Sequence, residues 1–167
     1  ESVDVLDQRG MAFFRVHGGV AAYTNKAEGW HQGGGAMKPV SNVDLPEMLF
    51  VRWQSLVEPQ TYKATIPIPP WVREEMVRPE RVFCQGSQKW KDDYRRMISL
   101  GLAPGGTVKV WVGGPCTGGF KEVGRYQAKI EPLGPDQGLS EGRYAWPELE
   151  PESKAYIDKH GIPYGSW

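Results

Sequence analysis

This 167-residue chain is poor in the side chains that make and break bonds. It has two cysteines, Cys84 and Cys116, and three histidines, His17, His31 and His160. No two histidines stand i, i+4 apart, and no HExxH, CxxC or Asp-rich calcium loop occurs. A metal site would therefore need ligands gathered from distant loops, and none is expected. Neither Ser55, which follows Gln54, nor Ser87, which follows Gly86, sits in a GxSxG elbow. Gly33-Gly34-Gly35 runs into Ala36-Met37-Lys38 without GK[ST], and Gly113-Gly114-Pro115 lacks the GxGxxG spacing, so neither cluster reads as a phosphate cradle. The carboxylate pairs Glu74-Glu75 and Asp92-Asp93 are sequence neighbours on expected helices. They point in different directions and cannot jointly flank a glycosidic bond. Twenty Lys and Arg against twenty Asp and Glu leave no net charge. The counterion-release footprint of a nucleic-acid binder is thus missing. No apolar run approaches the roughly 20 residues that span a bilayer. The composition asks for neither an enzyme nor a cofactor, although a Cys–His dyad of Cys84 or Cys116 with His31 stays open.

What the chain does have is turns and aromatics. Gly 21 and Pro 14 promise many turns and few long helices. Seven Trp, seven Tyr and five Phe are more large rings than one small core usually takes, and such rings concentrate in cores and in protein-binding hot spots. Cys84 and Cys116 form a disulfide if the compartment is oxidising, and are two buried thiols otherwise. Closing that loop of roughly 32 residues is worth about 3.5–4 kcal/mol in the chain-entropy picture. Glu1 opens the chain without a charged-then-apolar leader, which says nothing against export.

Along the chain, Met11–Val16 and Val20–Tyr23 read as two short strands about Gly18-Gly19. Residues 28–43 read as a glycine-rich loop. Leu45–Ser55 is the strongest strand signal, with Leu49, Val51 and Trp53 on one face, and both faces apolar at its start, as in a central strand. Thr61–Ile66 alternates and pairs back as a hairpin. Pro70 suits a first helical position, so Trp71–Arg78 is expected as a short helix carrying Val72 and Met76. Ser87 can cap a second helix ending at Gly101, with Trp90, Tyr94, Met97 and Ile98 on its buried stripe. Thr107–Val112 alternates strictly, placing Val108, Val110 and Val112 inward and Lys109 and Trp111 outward. Residues 113–119 read as a second flexible loop. Phe120–Ile130 returns as a strand with Tyr126, Ala128 and Ile130 on one side. A last helix starts at Pro151 and stops before Gly161, with Glu152 and Lys159-His160 matching its dipole. The expected architecture is α+β, mainly antiparallel sheet or sandwich with two or three short helices, in a single domain over 1–167.

Gly33-Gly34-Gly35, Leu45-Pro46, Leu49–Glu58 and Tyr62–Ile66 together resemble a family of bacterial envelope proteins known only as a domain of unknown function. The likeness is clearest over roughly Trp30–Met76. Its members are often described as lipoproteins, and some look like immunity partners of type VI secretion effectors, phospholipases among them. The resemblance implies a periplasmic protein held by an N-terminal lipid anchor, whose lipidated cysteine is not among these residues. The partner it implies is a secreted toxic effector, a lipase or a peptidase. The expected anchors for that partner are Trp30 and His31 on the first glycine loop, outward Trp111, and Phe120 at the end of the second. Each equally fits a ring that plugs the end of a sheet. An envelope carbohydrate- or peptide-binding module is the alternative.

Overall fold

The computed structural model describes residues 1–19, 29–30, 35–139 and 148–165. Its ten strands are β1 (Ser2–Asp7), β2 (Ala12–Gly18), β3 (Pro46–Gln54), β4 (Thr61–Pro67), β5 (Glu80–Cys84), β6 (Lys89–Asp93), β7 (Met97–Leu102), β8 (Thr107–Gly113), β9 (Lys121–Gln127) and β10 (Lys129–Ile130). Two helices, α1 (Pro70–Val77) and α2 (Pro151–His160), complete the set. The strands form a five-stranded sheet of order β10-β4-β3-β1-β2, a three-stranded sheet β7-β8-β9 and a separate hairpin β5-β6. Every pairing is antiparallel. The mainly antiparallel α+β expectation holds, and no barrel closes.

β3 is the middle strand of five, as its two apolar faces require. Its inward residues Leu49, Val51 and Trp53 join Val3, Val5, Ala64 and Ile66 from the neighbouring strands. Val108, Val110 and Val112 of β8 enter the same cluster, and α1 adds Val72. Val51, Ile66, Val72 and the three β8 valines are completely buried. Each such side chain contributes about 1.5–3 kcal/mol by leaving water. One apolar interior thus joins the two larger sheets and α1.

Three expectations change. Ala12–Gly18 pairs with β1, a strand absent from the sequence reading, and residues 20–23 lie outside the described residues. The organiser is Asp7, fully buried at the end of β1. Its carboxylate accepts backbone N–H bonds from Arg9 (2.9 Å), Met11 (3.1 Å) and Asp44 (3.1 Å), and a guanidinium bond from Arg9 (2.8 Å). Burial pushes the Asp7 pKa up, but the Arg9 side chain and the three N–H donors outweigh it and hold the group down at about 2. The ordinary value is 3.8. A carboxylate with a depressed folded-state pKa stabilises the fold above its unfolded pKa, and that stability drains as pH falls from 3.8 toward about 2. Asp7→Asn is therefore expected to flatten the acid limb of the stability curve over that window. Denaturant titrations at stepped pH measure it, and an unchanged limb excludes Asp7 as the acid-sensitive group.

The second correction concerns 87–101, which is no helix. Gln85–Gln88 is the turn of the β5-β6 hairpin, with Gln88 at φ 52°, and Gly101 lies inside β7 opposite Lys109 rather than capping a helix. The apolar spacing that fits a helix coexists with a period-2 run, Ile98, Leu100 and Leu102. Pairing with β8 packs that run against the common core. Non-local burial outweighs a local helical pattern that buries less. The third correction is that Phe120–Ile130 is not one strand. β9 belongs to the small sheet and β10 to the large one, and Ala128 at the crossing donates its N–H to the Gly106 carbonyl at 2.8 Å. Ile130 consequently turns outward. α1 and α2 stand where expected, α2 stopping at Gly161 (φ 73°), whose N–H reaches the Ile157 carbonyl.

Candidate binding surface

Gly113 to Phe120 leaves the end of β8 as a glycine-rich loop. Glycine alone lets the backbone come this close at Gly114, where a Cβ would lie 2.4 Å from the Tyr94 carbonyl oxygen. The loop is pinned from three sides. Cys116 is disulfide-bonded to Cys84 at the end of β5, with Cα atoms 4.9 Å apart. Thr117 Oγ1 donates back to the Gly114 carbonyl at 3.4 Å. The guanidinium of Arg95, 3% exposed, donates to the carbonyls of Gly119 (2.5 Å) and Gly118 (3.2 Å). Its other side meets Glu80, with Nε 2.6 Å from Oε1 and an N–H bond to Oε2 at 3.2 Å, while Glu75 lies 3.6 Å away. Hydrogen bonds from Lys121 and then Arg78 hold the Glu75 carboxyl below its ordinary 4.5, against the opposing effect of burial. The loop expected from its glycines is tied to the fold at Cys116, Gly118 and Gly119.

The disulfide settles the cysteine question left open by composition and removes the Cys–His dyad, because each sulfur is bonded to the other. Its reduction, or Cys84→Ser with Cys116→Ser, is expected to lower unfolding free energy by about 2–4 kcal/mol. Guanidinium melts with and without reductant measure this. Equal midpoints would mean that Arg95 alone holds the loop.

The expected anchors divide. Trp111 does lie on the face of β8 opposite the valines, but it is 2% exposed. Trp30 covers it edge-on, with ring centroids 5.5 Å apart. Trp30 fits there because β7 has Gly101 below it; a Cβ on Gly101 would sit 2.3 Å from the indole. Lys109 Nζ lies 5.2 Å from the Trp111 ring centre and is paired with Glu122 at 2.8 Å. Outward orientation thus did not mean exposure, and Trp111 is a support, not a contact. Phe120 lies across Gly113 in the same manner, 2.5 Å from where a Cβ would be, and stays half-buried. Trp30 and Phe120 flank this surface through glycine hollows, while His31 lies outside the described residues.

Several rings are more exposed than these, Phe14 (78%) most of all, and two of them lie on a hairpin that the sequence reading missed. Trp90 (62%) and Phe83 (37%) meet edge-on across the β5-β6 hairpin. The helix expected at 87–101 had put Trp90 and Tyr94 on a buried stripe. Val82-Phe83-Cys84 and Lys89-Trp90-Lys91 about Gly86 are the hairpin signal that was available.

A further polar cluster is built round Glu58. Tyr62 and Tyr164 donate to its Oε1 at 3.1 and 2.8 Å, and the Gly105 N–H reaches both oxygens. Burial first, then Glu58, pushes the Tyr62 hydroxyl up to about 12. This carboxylate ties the C-terminal segment to the turn before β8, a structural task. Among the described residues, no three His, Cys, Asp or Glu side chains gather as metal ligands.

A family model described as protein of unknown function (DUF2931) matches residues 1–165, well beyond the stretch that carried the resemblance. No curated protein and no solved structure matches the chain.

Proposed function

The chain belongs to the DUF2931 family, and on that premise we propose that it is a periplasmic immunity protein that binds and neutralises a type VI secretion effector. A phospholipase is the first effector class proposed and a peptidase the second, blocked at the active site or at its access to the membrane. In the full-length protein an N-terminal lipid anchor would hold it to the envelope. The observation that carries the reading is the pinned loop. A disulfide and a buried arginine tie down a glycine-rich surface segment. A surface rigid before binding loses less conformational entropy on association, so more of its contact energy appears as affinity. The disulfide also suits an oxidising compartment. The proposed contacts are Phe120 beside the loop and Trp30, which rests on Trp111, together with His31, which lies outside the described residues.

The test is to purify the secreted lipase or peptidase encoded beside this protein and mix the two. Co-elution with loss of the effector's activity is the expected result. Separate elution with toxicity intact ends the proposal. A lipase inhibited equally by the Phe120→Ala variant moves the contact away from this loop.

A further inference from the structure

β2 is an outer strand of the five-stranded sheet, and its pairing is interrupted. The register with β1 slips between Val3↔His17 and Val5↔Phe13, so Phe14, Arg15 and Val16 stand opposite Asp4 alone. Such a bulge re-aims the side chains it carries and breaks the ladder along an edge. Arg15 takes φ 52°, in the left-handed region that L side chains rarely adopt, and its N–H donates to Asp4 Oδ1 at 2.7 Å. The neighbouring Phe14, 78% exposed, is the most exposed aromatic ring among the described residues. Beside it opens an almost wholly apolar hollow of about 210 Å³ between Leu6, Ala12, Phe14, Met48 and Phe50, with Asp4 in its lining. Register explains its place. Asp4 pairs with Phe50, and Leu6 with both Met48 and Ala12, on the side of the sheet away from core residues Val3, Val5, Leu49 and Val51. An apolar cavity of about 150 Å³ suffices for a benzene ring. The charges beside it are open as well. Among the described residues the exposed Arg15 guanidinium has no carboxylate partner and the Asp4 carboxylate no cation.

We propose that two copies of this chain meet here across a two-fold axis, each inserting Phe14 into the hollow of the other, with Arg15 of each copy on Asp4 of the other. The occupant is a second copy because the patch is complementary to itself. It carries a projecting ring and a hollow large enough for one, and one open charge of each sign. A two-fold contact brings residue i to j and j to i, so each feature meets its counterpart twice. A small apolar ligand in the hollow would leave Phe14 in water, whereas a second copy covers both. The bulge prevents an unbroken ladder between the two β2 edges, so the contact is made by side chains on the sheet face. The patch is small. A stable complex takes about 800 Å² and roughly 20–30 residues a side, so the dimer expected here is weak, with Kd of order 10–100 μM. None of these residues is among the proposed effector contacts, and the inference does not rest on them.

Sedimentation velocity of the whole protein from about 5 to about 500 μM brackets that range. A weight-average mass rising from one chain toward two is expected. Phe14→Ala should weaken association at least about a hundredfold, because two rings leave the contact together. Arg15→Gly suits the left-handed backbone and removes the guanidinium. It should weaken association about three- to tenfold for the two pairs lost, and less in high salt. Both side chains are exposed, so each variant should keep the parent's circular dichroism spectrum. A mass of one chain at every concentration overturns the proposal, as does a dimer that Phe14→Ala leaves intact. If the parent stays monomeric while Phe14→Ala lowers affinity for an effector, the occupant is that effector and the self-association is wrong.

Discussion

Trp111→Ala is expected to lower the unfolding free energy by about 3–5 kcal/mol, because truncating a fully enclosed large ring removes its transfer energy and leaves a cavity. The expectation rests on more than the 2% exposure of this one residue. Trp30 reaches Trp111 across Gly101, so both indoles share one hollow in the outer face of β7-β8-β9. With Trp111 gone, Trp30 loses its support and the Lys109 side chain loses the ring beneath its ammonium. Trp111→Phe keeps part of the volume and should lose clearly less. Urea melts followed by far-ultraviolet circular dichroism discriminate the two. A loss under about 1 kcal/mol for the alanine variant would mean the site collapses freely or is uncovered in solution. It would also restore Trp111 as a candidate contact.

Arg95→Ala is expected to cost about 3–5 kcal/mol. Removing one member of a buried charge pair leaves the other uncompensated. Here Glu80 and the carbonyls of Gly118 and Gly119 are left without their donors. Glu80 keeps a quarter of its side chain in water, which places the loss toward the lower end of that range. Arg95→Lys should rescue little, since one ammonium cannot span two carbonyls and a carboxylate as a planar guanidinium does. Arg95 and the disulfide hold the same loop, so their effects should not add. A double-mutant cycle with Cys84→Ser/Cys116→Ser is expected to show a coupling of at least about 0.5 kcal/mol. Strict additivity would show that the two pins act on separate pieces of structure.

The elements that could be read from the chain are those whose local pattern and tertiary burial agree. Leu49-Val51-Trp53 and Val108-Val110-Val112 alternate and are buried as alternation demands. Pro70 and Gly161 mark helix ends by backbone chemistry that needs no neighbours. Residues 87–101 misled because two periods overlap there, and the helical stripe Trp90, Tyr94, Met97 and Ile98 spans more of the chain than the strand run Ile98, Leu100 and Leu102. β1 was overlooked because its alternation, Ser2-Val3-Asp4-Val5, is only four residues long and its partner on one side, β3, is some forty residues away. The burial of Trp111 escaped the sequence reading for a related reason. Alternation assigns Trp111 to the outer face of β8, yet says nothing about Trp30 folding over it from a distant loop.

Composition and pattern alone therefore determined a turn-rich, mainly antiparallel chain, because those properties live in short stretches and in counts. Which rings face water, whether the two sulfurs meet, and what ties down the glycine loop were decided only by the fold. Each depends on residues remote in sequence arriving at one place: Cys84 at Cys116, Arg95 at Gly118 and Gly119, Trp30 at Gly101. Burial is a property of what comes to lie on top of a side chain, and no window along the chain contains it.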